Sequence, residues 1–149
     1  VMRLLIINGP NLDLLGTREP HLYGTRTFDE VLATLRTAYP GLSITALQSN
    51  VEGELVQWLR AKASEVDAFV INPAGYSHTS VALRDAIVVV GKPVVEVHIS
   101  NIHAREGFRQ STITGAVCAG VITGFGTEGY RLAVEHLLHG HEMRIGPGR

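Results

Sequence analysis

Short apolar runs rich in β-branched residues alternate with amphipathic segments along the chain, and this alternation restricts the fold more than any other feature. The runs lack the in-and-out pattern of half-exposed strands, which is typical of parallel strands buried on both faces. The predicted strands are Arg3 to Asn8, Leu42 to Gln48, Ala68 to Asn72, Val94 to His98 and Val117 to Thr123. The sequence therefore predicts an α/β three-layer sandwich around a flavodoxin-like, five-stranded parallel sheet.

Helical patterns occupy the segments between these runs. They lie near Thr27 to Tyr39, Gly53 to Ser64, Thr79 to Val90 and Thr127 to Leu138. Thr27 followed three residues later by Glu30 is a capping box, which predicts where the first of these helices begins. A chain of 149 residues fits one domain, residues 1–149, and we expect a loose tail over residues 139–149.

The composition argues against several classes of partner. A net charge of −1 offers no basic footprint for nucleic acid or for an anionic membrane. No apolar run reaches the roughly 18 residues of a membrane-spanning helix, so we expect a soluble, cytoplasmic protein.

The single cysteine, Cys118, is interpreted as a small buried hydrophobe. A hydrophobic content of 45% is high for this length, which indicates that other subunits cover apolar surface.

A glycine-rich loop dense in functional groups follows the first predicted strand. It contains Asn11, Arg18 and Tyr23, and Gly16 and Gly24 bracket the last two as candidate hinges. Loops at the carboxyl ends of central strands usually carry the chemistry of open α/β sheets. A structural turn does not require an arginine and a tyrosine between glycines, so we interpret residues 16–25 as a mobile lid.

Polar residues also follow the third and fourth predicted strands, and a parallel sheet would bring all of these strand ends to one edge. They include Asn72 and His78 after the third strand and Ser100 after the fourth. Glu96 and His98 are two apart on a strand and point to the same side, so the carboxylate can orient and stabilise the imidazole. A histidine of the core is the alternative, but this position favours an acid–base role.

Three other motifs are given structural interpretations. The glycines of Gly124 to Gly129 fit a dinucleotide pattern, but no strand follows, so tight packing at a helix start is favoured. Gly75 to Thr79 resembles a nucleophile elbow, yet the fifth position is not glycine. His136, His139 and His141 lack the cysteine or placed carboxylate that would favour a metal site.

Four separated blocks, in order, resemble the type II 3-dehydroquinate dehydratases over about Met2 to Leu138. They comprise Asn-Gly-Pro-Asn-Leu with Gly-x-Arg-Glu-Pro-x-x-Tyr-Gly at 8–24, Gln-Ser-Asn with Glu-Gly at 48–53, residues 72–86, and Glu-Val-His-Ile-Ser-Asn to Phe-Arg at 96–109. Asp13, Gly107 and Gln110-Ser111-Thr112 depart from the family's usual residues, and we expect none of them to touch a catalytic residue.

The resemblance implies a cofactor-independent and metal-independent lyase of the shikimate or quinate pathway, which forms 3-dehydroshikimate from 3-dehydroquinate through an enolate. Tyr23 matches the base, Asn11 the enolate stabiliser, and His98 with Glu96 the general acid. A free phenol has a pKa of about 10, so a tyrosine base needs neighbouring positive charge. Arg18, five residues away, is the first candidate for this charge and Arg109 the second.

The resemblance also implies the substrate contacts and the assembly. The substrate-binding residues are Asn72, His78, Arg109, and the backbone N–H groups of Ile99 and Ser100. Asp85 would enter the site of a neighbouring subunit in a dodecamer built from trimers. The alternatives are a non-catalytic flavodoxin-like binding or signalling module and an inactive homologue kept as a scaffold. This chain lacks the phospho-acceptor aspartate that a receiver-type signalling module needs at the end of the third strand. Intact Arg18, Tyr23 and His98 argue against an inactive scaffold.

Overall fold

All five strands lie in one parallel sheet in the computed structural model, which describes residues 1–140. The strand order is β2-β1-β3-β4-β5, which confirms the flavodoxin-like prediction. The strands are β1 (Arg3–Asn8), β2 (Ser43–Gln48), β3 (Ala68–Asn72), β4 (Val94–His98) and β5 (Gly120–Thr123). Every residue of β3 and β4 is buried, as expected of central strands in a sheet covered on both faces, and the buried residues include the polar Asn72, Glu96 and His98.

Helices cover both faces of the sheet. They are α1 (Pro20–Tyr23), α2 (Phe28–Ala38), α3 (Glu52–Lys62), α4 (Val81–Val89) and α5 (Glu128–His139). Apolar side chains of α2 and α5 pack on one face, and those of α3 and α4 pack on the other. The capping box is present at the start of α2, where the Thr27 side chain accepts from the backbone N–H of Glu30.

The predicted start of the last strand, at Val117, is wrong. Residues Gly115–Val117 form a 3-10 turn, and β5 begins at Gly120. The residues before Gly120 are apolar, but Gly115 donates its backbone N–H to Thr112 Oγ1 instead of joining the sheet. Pairing with β4 begins only where Gly120 lies beside Val95. The turn packs against β4, since a Cβ at Gly115 would lie 2.9 Å from Glu96 Oε2.

The glycines between β5 and α5 serve packing, as predicted. A Cβ at Gly129 would come within 3.0 Å of Val97 Cγ1, so the glycine lets α5 lie close to β4. Gly124 and Gly126 both have positive φ, 95° and 61°. Such turns favour glycine because it has no Cβ to clash.

Two further predictions concern the cysteine and the chain end. Cys118 is half-buried, and burial, with a smaller contribution from the charge of Glu96, raises the pKa of its thiol to about 12. It is therefore a poor nucleophile, although less buried than expected.

His141 and most of the predicted tail lie outside the described residues. No helix among residues 1–140 combines the length and apolar character needed to cross a bilayer.

Candidate active site

A cleft of about 380 Å³ opens at the carboxyl ends of the central strands. Nine of the eleven predicted site residues line it: Asn11, Arg18, Tyr23, Asn72, His78, His98, Ile99, Ser100 and Arg109. Parallel strands bring residues from distant parts of the chain to one edge, which is why residues predicted from separate strand ends meet at one cleft. Glu96 does not line the cleft, but it bonds His98, which does. Asp85 does not line the cleft either.

Glu96 and His98 form a buried pair at the end of β4. The distance between His98 Nε2 and Glu96 Oε2 is 2.7 Å, and the two residues are 5% and 0% exposed. A carboxylate only accepts hydrogen bonds, so Nε2 carries a proton and donates it. The other ring nitrogen, Nδ1, is then the nitrogen of His98 that can interact with a ligand in the cleft. The predicted pairing is therefore present, with the geometry that an acid–base histidine requires.

Glu96 has two further partners that the sequence analysis missed. Thr112 Oγ1 donates to Glu96 Oε2 at 2.6 Å, and Thr114 Oγ1 donates to Glu96 Oε1. The expectation that no residue of the 110–112 stretch touches a catalytic candidate is therefore wrong. A threonine every second residue before the turn at Gly115–Val117 was the available signal, but the contact depends on how that turn folds back.

His78 lies beside His98 and has a fixed orientation of its own. The two rings stack with centroids 6.2 Å apart. His78 Nδ1 lies 2.7 Å from the backbone carbonyl oxygen of Ser111, which can only accept, so Nδ1 bears the proton. In the neutral ring, Nε2 is then an acceptor. His78 therefore offers an acceptor for a hydroxyl group that enters the cleft.

Tyr23 has two guanidinium groups near its ring and hydroxyl. The Arg18 guanidinium carbon lies 5.2 Å from the centre of the Tyr23 ring, and Arg105 Nη1 lies 3.5 Å from the hydroxyl oxygen. Arg105 also donates to Ser100 Oγ at 2.9 Å. The second cation beside Tyr23, after Arg18, is thus Arg105, whereas the sequence analysis named Arg109. Arg105 was part of a recognised block, but its contact with Tyr23 spans 82 positions.

Burial by itself would lower the pKa of the Arg105 guanidinium. The hydrogen bond and charge of Tyr23, together with the neighbouring carboxylate of Glu106, outweigh this and raise that pKa. Arg105 therefore stays charged while it faces the tyrosine.

The cleft wall is strongly cationic. Arg18, Arg105 and Arg109 line it, and no Asp or Glu of the described chain does. Glu106 forms ion pairs with Arg105 at 3.4 Å and with Arg109 at 3.1 Å, but it is exposed and outside the cleft lining. One exposed carboxylate leaves an excess of positive charge, so the cleft is suited to an anionic small molecule.

Hydrogen bonds hold the backbone of Asn11 and the side chain of Asn72 at the cleft. Asn11 has a left-handed backbone, with φ of 68°, and its N–H donates to Asn50 Oδ1 at 2.9 Å. Asn72 accepts from the N–H of Ala74 and donates to the buried hydroxyl of Tyr130 at 3.0 Å. The two side-chain bonds of Asn72 fix which of its amide atoms is the donor. Asn72 therefore keeps a second N–H available for a ligand.

Asp85 and the lid complete the predicted site. Asp85 is exposed on α4 and does not line the cleft of its own chain. Gly16 and Gly24 have positive φ, 96° and 81°, which suits the hinge role assigned to them. That residues 16–25 move as a lid stays a prediction.

Comparison with known proteins places this site in a family. The model of class II dehydroquinases matches residues 2–138. A Pseudomonas aeruginosa protein named 3-dehydroquinate dehydratase 2 is 52% identical over 89% of this chain and 91% of its own length. An Aspergillus terreus protein named catabolic 3-dehydroquinase 1 is 50% identical, with 90% of both chains covered.

Solved structures agree with the sequence relatives. The type II dehydroquinase of Propionibacterium acnes has a TM-score of 0.87 and 42% identity, and the match covers 92% of this chain and 96% of that one. The enzyme of Butyrivibrio crossotus has a TM-score of 0.89 and 38% identity, over 92% and 97% of the two chains. The chain therefore belongs to the class II dehydroquinase family.

Proposed function

We infer that this protein is a 3-dehydroquinate dehydratase of type II, which removes water from 3-dehydroquinate to give 3-dehydroshikimate. Family membership supports the reaction. One observation carries the inference from the site itself: a tyrosine with two guanidinium groups beside it and a histidine bonded to a buried carboxylate face the same cationic cleft. The relatives reported above carry names of dehydratases or dehydroquinases, so the binding-module alternative gains no support.

We propose that Tyr23 acts as the base. As phenolate it removes the proton from the carbon next to the substrate ketone, and the electron pair of that C–H bond moves onto the ketone oxygen. Arg18 and Arg105 stabilise the phenolate that must be present beforehand. Asn11 lines the cleft and, as a neutral donor, stabilises the enolate oxygen.

The second half of the reaction needs an acid. The enolate electrons return to form the carbon–carbon double bond, and the hydroxyl on the neighbouring carbon leaves. We propose that His98, protonated on Nδ1, gives that proton to the departing oxygen, so that water is the product. Glu96 accepts from Nε2 and so stabilises the imidazolium that forms when Nδ1 takes up its proton. Tyr23 ends the cycle protonated and His98 deprotonated, and solvent restores both.

The remaining contacts bind and orient the substrate. We propose that the substrate carboxylate is held by the backbone N–H groups of Ile99 and Ser100, at the carboxyl end of β4. Asn72 offers an N–H donor and His78 an acceptor nitrogen, which together suit hydroxyl groups of the ring. Arg109 adds positive charge near the carboxylate.

Purified protein should convert 3-dehydroquinate into a product with the near-ultraviolet absorbance of a conjugated enone. The rate should survive treatment with borohydride in the presence of substrate, because the proposed residues form no imine. The same treatment without substrate serves as the control. Inactivation that requires both borohydride and substrate would show an imine and contradict the enolate route.

We propose that Asp85 completes the cleft of a neighbouring subunit in a dodecamer of trimers. The outer face of α4 around Asp85 is unusually apolar: Val81, Val88 and Val89 are each at least 60% exposed. Solvent-exposed valines on one helix favour contact with another copy. The expected location in the cytoplasm stays a prediction.

Light scattering should give a mass near twelve times the 16.1 kDa chain. Asp85→Asn and Tyr23→Phe oligomers should each be nearly inactive, yet recover activity when dissociated and reassembled together. Recovery is expected because some cleft–neighbour pairs in the hybrid have both native residues. A fully active monomer, or hybrids no better than their parents, would contradict a shared site.

A further inference from the structure

Three donors surround the Glu96 carboxylate, which is fully buried. His98 Nε2 and Thr112 Oγ1 both bond Oε2, at 2.7 Å and 2.6 Å, and Thr114 Oγ1 bonds Oε1. Each of the three partners can donate a hydrogen bond to a carboxylate oxygen, which only accepts. Hydrogen bonds to both carboxylate oxygens therefore fix the orientation of Glu96.

The Thr112 hydroxyl is directed toward Glu96 by its own neighbours. The backbone N–H of Gly115 donates to Thr112 Oγ1 at 2.9 Å and occupies one of its lone pairs. Other oxygens near Thr112 Oγ1 lie farther away than Glu96: Thr114 Oγ1 at 3.2 Å and the Ser77 carbonyl at 3.4 Å. The single hydroxyl proton of Thr112 therefore goes to the carboxylate.

The turn that carries the threonines closes tightly on the carboxylate. A Cβ at Gly115 would lie 2.9 Å from Glu96 Oε2 and 2.5 Å from Thr112 Cγ2. Only glycine lets the backbone approach this closely without displacing them. The carboxylate is thus held on one side by the turn and on the other by the histidine.

We propose that Thr112 and Thr114 are positioning residues that hold Glu96 in one orientation, so that His98 keeps its Nε2 proton and presents Nδ1 to the cleft. The proposal rests on the function given above, in which His98 protonates the leaving hydroxyl. Without the two threonines, Glu96 could rotate and His98 could adopt the other tautomer. The titratable groups nearby are His78, stacked on the His98 ring, and Cys118, on the strand side of the turn.

Replacement of each threonine by valine tests this, because valine keeps the branched shape and removes only the hydroxyl. We expect Thr112→Val and Thr114→Val each to lower kcat about 10- to 100-fold, the effect of losing one hydrogen bond to a charged group. KM should change little, since neither threonine lines the cleft. Thr112→Ser and Thr114→Ser should restore most of kcat. Thr45→Val, on β2 away from the cleft, is the matched control.

Nitrogen NMR of the imidazole rings gives a readout that does not depend on turnover. In the native protein, neutral His98 should show a protonated Nε2 and a bare Nδ1, and both valine variants should shift this toward the other tautomer. Unchanged His98 spectra and unchanged kcat in folded valine variants would overturn the proposal. Serine variants as impaired as the valine variants would also overturn it, because shape would then matter more than the hydroxyl.

The two claims fail in different ways. If native protein does not dehydrate 3-dehydroquinate, the proposed function is wrong, while the NMR comparison still decides whether the threonines set the His98 tautomer. If a valine variant does not fold, the corresponding serine variant and the other single variant carry the same test.

Discussion

Replacement of Tyr23 by phenylalanine should lower kcat by about 10²- to 10⁴-fold, the usual contribution of a positioned acid or base, and leave the fold intact. The ring packs at the edge of the core and is retained. The hydroxyl has one long contact, 3.5 Å from Arg105, so its loss should affect stability little. Steady-state kinetics and a thermal melt on the same sample separate the two effects. Tyr39→Phe is the control, because its hydroxyl bonds Glu135 rather than facing the cleft.

Arg18 should behave as part of the same unit. Its guanidinium lies over the Tyr23 ring, so Arg18→Ala removes charge that favours the phenolate and should cost turnover comparably. The double variant should be little worse than either single variant, since a base that cannot ionise has little left to lose. Near-normal turnover in folded Tyr23→Phe protein would assign the base elsewhere, with His98 the next candidate.

The fold could be predicted from the sequence because its signals are local. Apolar runs such as residues 68–71 identify buried parallel strands, and the strand pairing then follows from regular β-α alternation. The prediction failed at Val117, where an apolar run continues but the chain turns. Hydropathy does not report backbone pairing, so an apolar 3-10 turn and a strand give the same pattern.

The site could be predicted only as far as strand ends and motif blocks reach. Glu96 and His98 are two residues apart on one strand, so their pairing follows from strand geometry. The contact of Thr112 with Glu96 and that of Arg105 with Tyr23 join segments separated by loops, and no period in the sequence encodes them. These contacts depend on the packing of irregular backbone, which the structure supplies.

Replacement of His98 by asparagine should also lower turnover by about 10²- to 10⁴-fold, because the leaving hydroxyl loses its proton donor. It removes one of the three donors to the buried Glu96 carboxylate, so a modest loss of thermal stability should accompany it. His103→Asn makes the same chemical change at an exposed position that does not line the cleft, and it should retain full activity.

The two halves of the reaction can then be separated in heavy water. If Tyr23 forms the enolate and His98 acts only in the loss of hydroxyl, His98→Asn should still exchange the substrate proton next to the ketone for deuterium. Tyr23→Phe should lose exchange and dehydration together. Mass spectrometry of recovered substrate measures the exchange, with His103→Asn run alongside. Loss of exchange in folded His98→Asn protein, with Tyr23 intact, would mean that His98 takes part in proton removal, and the assignment of Tyr23 as sole base would be wrong.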